Sequence, residues 1–143
     1  MTQEITKEDI AFKKDVESCN FPVPDFDHRA HLRLAYVYLV ETNSTSESVN
    51  LVRQALTGLL KHAGVDPSAK YHETLTEAWL LAVHHFMCQT SNATSADDFI
   101  DQNSKLLDSK IMLFHYSDDV LFSEAAKTAF IEPNLEPIPR HAN

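Results

Sequence analysis

The sequence predicts an all-α, single-domain fold, and three observations predict it. Glycine occurs only at Gly58 and Gly64 in 143 residues, too few for the turns of a β-rich chain. Apolar residues recur at helical spacing through several long stretches, and no alternating strand pattern persists. Ser, Thr or Asp stands at the breaks between these stretches, often three residues ahead of Glu or Asp, which is how helices start. The expected architecture is a helical bundle of about four main helices, with short helices and an extended Pro-rich C-terminal tail. One core suits this length, and 43 % apolar residues suffice to build it. The expected division of the domain 1–143 is an N-terminal helix and linker over 1–24, a helical core over 25–130 and a tail over 131–143.

Thr6 with Asp9 resembles a capping box, so a first short helix is expected over about 7–18, burying Ile10 and Val16. Asn20-Phe21-Pro22-Val23-Pro24 is extended, because each proline biases its predecessor away from α. The stretch 26–40 then reads as a helix that is apolar almost all round, which belongs in the middle of a fold. Asp25 or Asp27 caps it, and Asn43-Ser44-Thr45-Ser46 breaks it. Ser44 with Glu47 starts a second long helix, with a stripe of Val49, Val52, Leu56, Leu59 and Ala63, closed by Gly64. Asp66-Pro67 restarts a third helix holding Tyr71, Leu75, Ala78, Trp79, Ala82, Val83 and Phe86. A polar loop at 90–94 ends it. Ser95 with Asp98 starts a fourth helix to about residue 107. Asp108 caps a short fifth that ends near Tyr116, and Ser123 caps a last one to about 130. Glu132-Pro133-Asn134-Leu135-Glu136-Pro137-Ile138-Pro139 is not helical. Its Leu135 and Ile138 are expected to strap it across the helices.

Charge and cysteine content narrow the function. A net charge of −9 argues against nucleic acid and against an anionic membrane surface as partners. No apolar run is long enough to span a bilayer. The charged stretch 1–9 has no apolar core of signal-peptide length. Cys19 and Cys88 have no metal-ligand spacing and read as free thiols, so a reducing cytoplasmic location is expected.

The eight histidines carry the chemistry. His28 and His31, at i and i+3 on the central helix, share one face. His72 shares a face with Thr76, Trp79, Val83 and Phe86 on the third helix. If both faces look inward, three imidazoles meet under an apolar ceiling. Burying them without partners costs several kcal/mol. A divalent Zn, Fe, Ni or Cu ion removes that cost, and three protein ligands with an open position suit catalysis. The alternative is that each imidazole is satisfied by a backbone carbonyl or by a carboxylate such as Asp25 or Asp27. His72-Glu73 begins like a zinc-protease motif, but Thr76 stands where the second histidine belongs, so that mechanism is excluded. Glu73 and His115 are the candidate proton carriers, although Glu73 equally suits a solvated helix face and His115 a helix end. His84 and His85 read as packing or surface residues. No nucleophile elbow, P-loop, Rossmann glycine pattern or haem attachment motif is present.

Several of these residues form a pattern. Phe26-x-His28-x-x-His31-Leu32, then Lys70-Tyr71-His72-Glu73-Thr74-Leu75-Thr76-x-Ala78-Trp79, then Tyr116-Ser117 resemble a group of small bacterial all-helical proteins. Leu121-x-Ser123-x-x-Ala126-Lys127 and Glu132-Pro133-Asn134-Leu135-x-Pro137-Ile138-Pro139 resemble it too. The resemblance runs from about Val16 to Pro139. It implies a helical fold without implying a reaction, and it implies that His28, His31 and His72 belong to the group's recurring pattern. At the position of His115 similar chains carry an aromatic residue.

Three functions follow as expectations. The first is a small cytoplasmic metal-binding protein acting as a metalloenzyme, either a hydrolase or an oxygen-using oxidoreductase, on a small-molecule substrate. His28, His31 and His72 would hold its ion, and Glu73 or His115 would move protons. The second is a non-catalytic interaction module with a buried histidine hydrogen-bond network. The third is metal storage or delivery at the same residues.

Overall fold

The computed structural model describes residues 2–141; Met1, Ala142 and Asn143, counted in the expected domain, lie outside them. The described residues are mainly helical, with one two-stranded sheet. Helix α1, Lys7–Glu17, begins at a complete capping box: Thr6 accepts from the Asp9 N–H, and the Asp9 carboxylate accepts from the Thr6 N–H. That carboxylate is buried and also accepts from Ala96 N–H at 3.0 Å and Arg33 Nε at 3.0 Å. One acid therefore ties three parts of the chain together. Phe12 and Val16 are the apolar residues this helix buries, whereas Ile10 is only half-buried. The Phe12 ring lies edge-on to Phe21 and under the Arg33 guanidinium, which fixes the rotation of α1.

Helix α2, His28–Thr42, is capped by Asp27 and not by Asp25, which sits in a 3-10 turn, Val23–Asp25. The Asp27 carboxylate accepts from Ala30 N–H at 2.9 Å. The run from Leu34 to Leu39 is wholly buried, as a helix apolar all round requires. The helix ends at Asn43, in the left-handed region at φ 53°, which a short amide side chain tolerates. Helix α3, Thr45–His62, is capped by Ser44, and its stripe of Val49, Val52, Leu56 and Leu59 is buried. Ala63 falls one residue past its end and is exposed; Gly64 follows at φ 77°.

The expected third helix is broken in two. A single turn, α4, Pro67–Lys70, is followed by extended Tyr71, and α5, Glu73–Gln89, starts afresh. His72 is its N-cap, with the imidazole Nδ1 accepting from Leu75 N–H at 3.1 Å. Histidine is outside the Ser, Thr, Asp and Asn set that announces a cap. The polar loop at 90–94 contains a strand, β2, Asn92–Ala93, paired in parallel with β1, Thr2–Gln3. Two residues are too few to show an alternating pattern.

Helix α6, Ala96–Gln102, is capped by Ser95 and stops short of 107. There the Asn103 amide donates back to Phe99 O and across to Thr90 Oγ1. Two 3-10 helices follow, Ser104–Leu107 and Ser109–Phe114, the second capped by Asp108. Then come α7, Asp118–Leu121, and α8, Glu124–Thr128, the latter capped by Ser123. Helices α2, α3 and α5 pack on one another and carry the centre of the core. Residues 130–141 contain no helix or strand; Ile138 is buried and Leu135 is half exposed. Leu135 N–H bonds His115 O at 2.9 Å, and His85 Nδ1 lies 2.7 Å from His141 Nε2. Among the described residues no helix is long and apolar enough to cross a membrane.

Candidate functional site

A cavity of about 710 Å³ opens between α2, α3, the start of α5 and the segment 109–122. That volume falls within the range of small-molecule sites. Its walls are mostly apolar and include Phe26, Leu56, Leu75 and Trp79. The three histidines expected to converge all line it. Glu73 and His115 do not line it.

His28 is the first residue of α2, and its Nε2 lies 2.8 Å from Leu106 O. A carbonyl only accepts, so Nε2 carries the proton and Nδ1 the lone pair. The ring sits edge-on to Trp79 at 4.5 Å. His72 places Nε2 2.7 Å from Leu121 O while Nδ1 accepts from Leu75 N–H. Both nitrogens of His72 are therefore engaged. The two histidines act as struts: each holds a carbonyl of the short helical turns in the segment between 104 and 122 against a long helix. That segment forms one wall of the cavity.

His31 differs. Its ring tilts on Phe26 at 4.8 Å, and it makes no hydrogen bond to a described residue. The ring is half-buried and lines the cavity. Burial, reinforced by the neighbouring His28, pushes its pKa down to about 4. At neutral pH it therefore offers one N–H and one lone pair to whatever enters. The unfolded chain binds a proton on this ring near pH 6.5, whereas the folded chain does so only near 4. Stability therefore falls as pH drops through that window. We expect His31→Leu to match wild type near pH 7.5 and to exceed it by about 2 kcal/mol at pH 4 in urea melts. A difference that stays constant with pH would contradict this.

Glu73 is buried and locked. Arg53 donates Nε to Oε1 at 2.9 Å and Nη2 to Oε2 at 2.6 Å, and Tyr71 Oη donates to Oε1 at 2.7 Å. The Arg53 hydrogen bonds hold its carboxyl well below the usual carboxylate range. Its neighbour Glu77 is pushed up to about 7, first by burial and then by the Glu73 charge and hydrogen bond. Tyr71 links this group to the cavity, which it lines. His115 holds Glu136 O through Nδ1 at 2.6 Å.

The donor geometry bears on the metal expectation. Among the described residues no three His, Cys, Asp or Glu side chains are grouped to hold an ion. With both His72 nitrogens engaged, His28 and His31 leave at most one lone pair each, fewer than the three protein ligands of a catalytic zinc. The i, i+3 spacing did bring His28 and His31 to one cavity. It carried no information that His72 leaves the helix to cap it.

Other features were not legible. His84 and His85 on α5 face His141, with ring centroids 6.0 and 5.0 Å away, and Cys88 Sγ lies 3.9 Å from His84 Nε2. His141 lies 56 residues from His85, beyond any local pattern. Lys70 and Lys110 also line the cavity, and nothing in their sequence neighbourhoods signals it.

No protein-family model, no curated protein and no solved structure matches the chain. The resemblance to small bacterial helical proteins rests on the motifs alone.

Proposed function

We propose that this protein binds a small, largely apolar molecule in the cavity between α2, α3 and α5. One observation carries the reading: a cavity of about 710 Å³ with mostly apolar walls is lined by a half-buried imidazole, His31, whose ring has no hydrogen-bond partner among the described residues. An apolar cavity with few convergent polar groups is what a small-molecule site requires. Binding would give His31 the partner the protein lacks and would cover apolar surface now open to water. The net charge of −9 supports the exclusion of nucleic acid, and the free thiols Cys19 and Cys88 support a cytoplasmic setting.

A divalent ion on His28, His31 and His72 is the competing reading, favoured by the three rings sharing one cavity. It requires His72 to abandon the Leu75 N–H or the Leu121 carbonyl. Calorimetry with a panel of medium-chain alcohols and substituted aromatics tests the binding reading. One molecule is expected to bind per chain, and Leu60→Trp, which fills the cavity from α3, should remove binding. Equilibrium dialysis against Zn, Fe, Ni and Cu runs in parallel. One ion per chain, lost in His31→Ala, together with no organic binder, would decide for the metal reading.

A further inference from the structure

We propose that the natural ligand is an amphipathic organic acid, with its apolar body inside the cavity and its anionic head at the mouth between Lys70 and Lys110. This rests on the cavity being a small-molecule site, and it adds the ligand's charge and orientation.

The residues that line the cavity differ with depth. Leu56, Leu59 and Leu121 are buried, whereas Lys70, Lys110 and Phe122 are exposed and so stand at the mouth. Neither lysine forms an ion pair among the described residues. On a chain with 21 acids and 12 basic residues, two unpaired ammonium groups at one opening run against the overall charge. Asp27 is the one acid lining the cavity, and one of its oxygens accepts from the Ala30 N–H at the start of α2. Asp108, off the cavity, accepts from the main-chain N–H of Lys110 and leaves its ammonium group without a partner.

Orientation follows from what the interior lacks. An ionised carboxylate carried inside would leave behind the exposed Lys70 and Lys110, the lysines that line the cavity, and among the described residues no arginine lines it; the Thr76 hydroxyl already donates to His72 O. Burying a charge without a countercharge is strongly unfavourable. At the mouth the same carboxylate stays hydrated and meets two cations. The Phe122 and Leu113 side chains, 66 % and 43 % exposed, lie beside it and would be covered by the first carbons of the chain.

Decanoate and 1-decanol share one apolar body and differ in the head. At low salt, wild type should bind decanoate about tenfold more tightly than 1-decanol, and added salt should narrow that gap. In K70Q/K110Q the preference should vanish while 1-decanol binds as before; both side chains are exposed, so the fold is not at stake. Equal affinities in wild type, or a preference that survives the double substitution, overturns the proposal and leaves the cavity reading intact. If neither compound binds, both fall together.

Discussion

Arg53→Met is expected to destabilise the protein by about 3 kcal/mol and to lower its Tm by roughly 10 °C. The guanidinium on α3 is the sole cation bonded to Glu73 among the described residues, and it grips both carboxylate oxygens. The Glu73 side chain is only 9 % exposed, whereas that of Arg53 is 38 % exposed. Breaking such a pair from the cation side strands a buried charge, which costs more than the pair itself contributes. The open side of Arg53 keeps the cost at the lower end of that range. The pH dependence has a definite sign. A carboxyl held below its unfolded value of 4.5 adds stability above that pH, and the contribution is lost as pH falls through the folded value. The gap between wild type and Arg53→Met is therefore largest at pH 7 and shrinks towards pH 3. Arg53→Lys keeps the charge and loses the fork, so it should fall between the two. Adding Glu73→Gln to Arg53→Met should recover most of the loss. Urea melts read all four proteins; a cost below about 0.5 kcal/mol for Arg53→Met would mark the pair as an ordinary surface contact.

His72→Ala is the second large effect, at about 2–3 kcal/mol, with at least tenfold weaker binding of 1-decanol. Three losses combine. The Leu75 N–H loses its cap, worth about 1 kcal/mol. The Leu121 carbonyl loses its donor, worth a similar amount. The wall of the cavity then loses the strut that holds α7 against the start of α5. His72→Asn separates these terms, because asparagine is a good N-cap whose shorter side chain does not reach Leu121. It should recover about 1 kcal/mol of stability and little of the binding. If His72→Ala were destabilised yet bound 1-decanol like wild type, the strut would have no part in the site.

The helix starts were the most legible part of the chain. Thr6, Asp27, Ser44, Ser95 and Ser123 all cap helices through the side-chain oxygens the sequence puts there. The mainly helical class follows from them and from the buried stripe on α3. What stayed hidden depends on contacts far apart in sequence or on residues used against type. His72 caps a helix with a ring nitrogen. The β1–β2 pair joins residues about ninety positions apart. Helix α7 is four residues long and has no side-chain cap.

The site was legible in the same uneven way. His28, His31 and His72 were expected to meet beneath an apolar ceiling, and all three, with Trp79, line one cavity. The partners of those rings were not legible, because Leu106 lies 78 residues from His28 and Leu121 lies 49 residues from His72 along the chain. For the same reason Glu73 read as a proton carrier: the Arg53 that locks it sits 20 residues earlier on another helix.

Trp79 is the single tryptophan of the chain and lines the cavity. Its emission during a titration with 1-decanol therefore tests the cavity reading most directly. A saturable, one-site change in intensity and wavelength is the predicted result. Emission that stays flat to the solubility limit of the alcohol would contradict it.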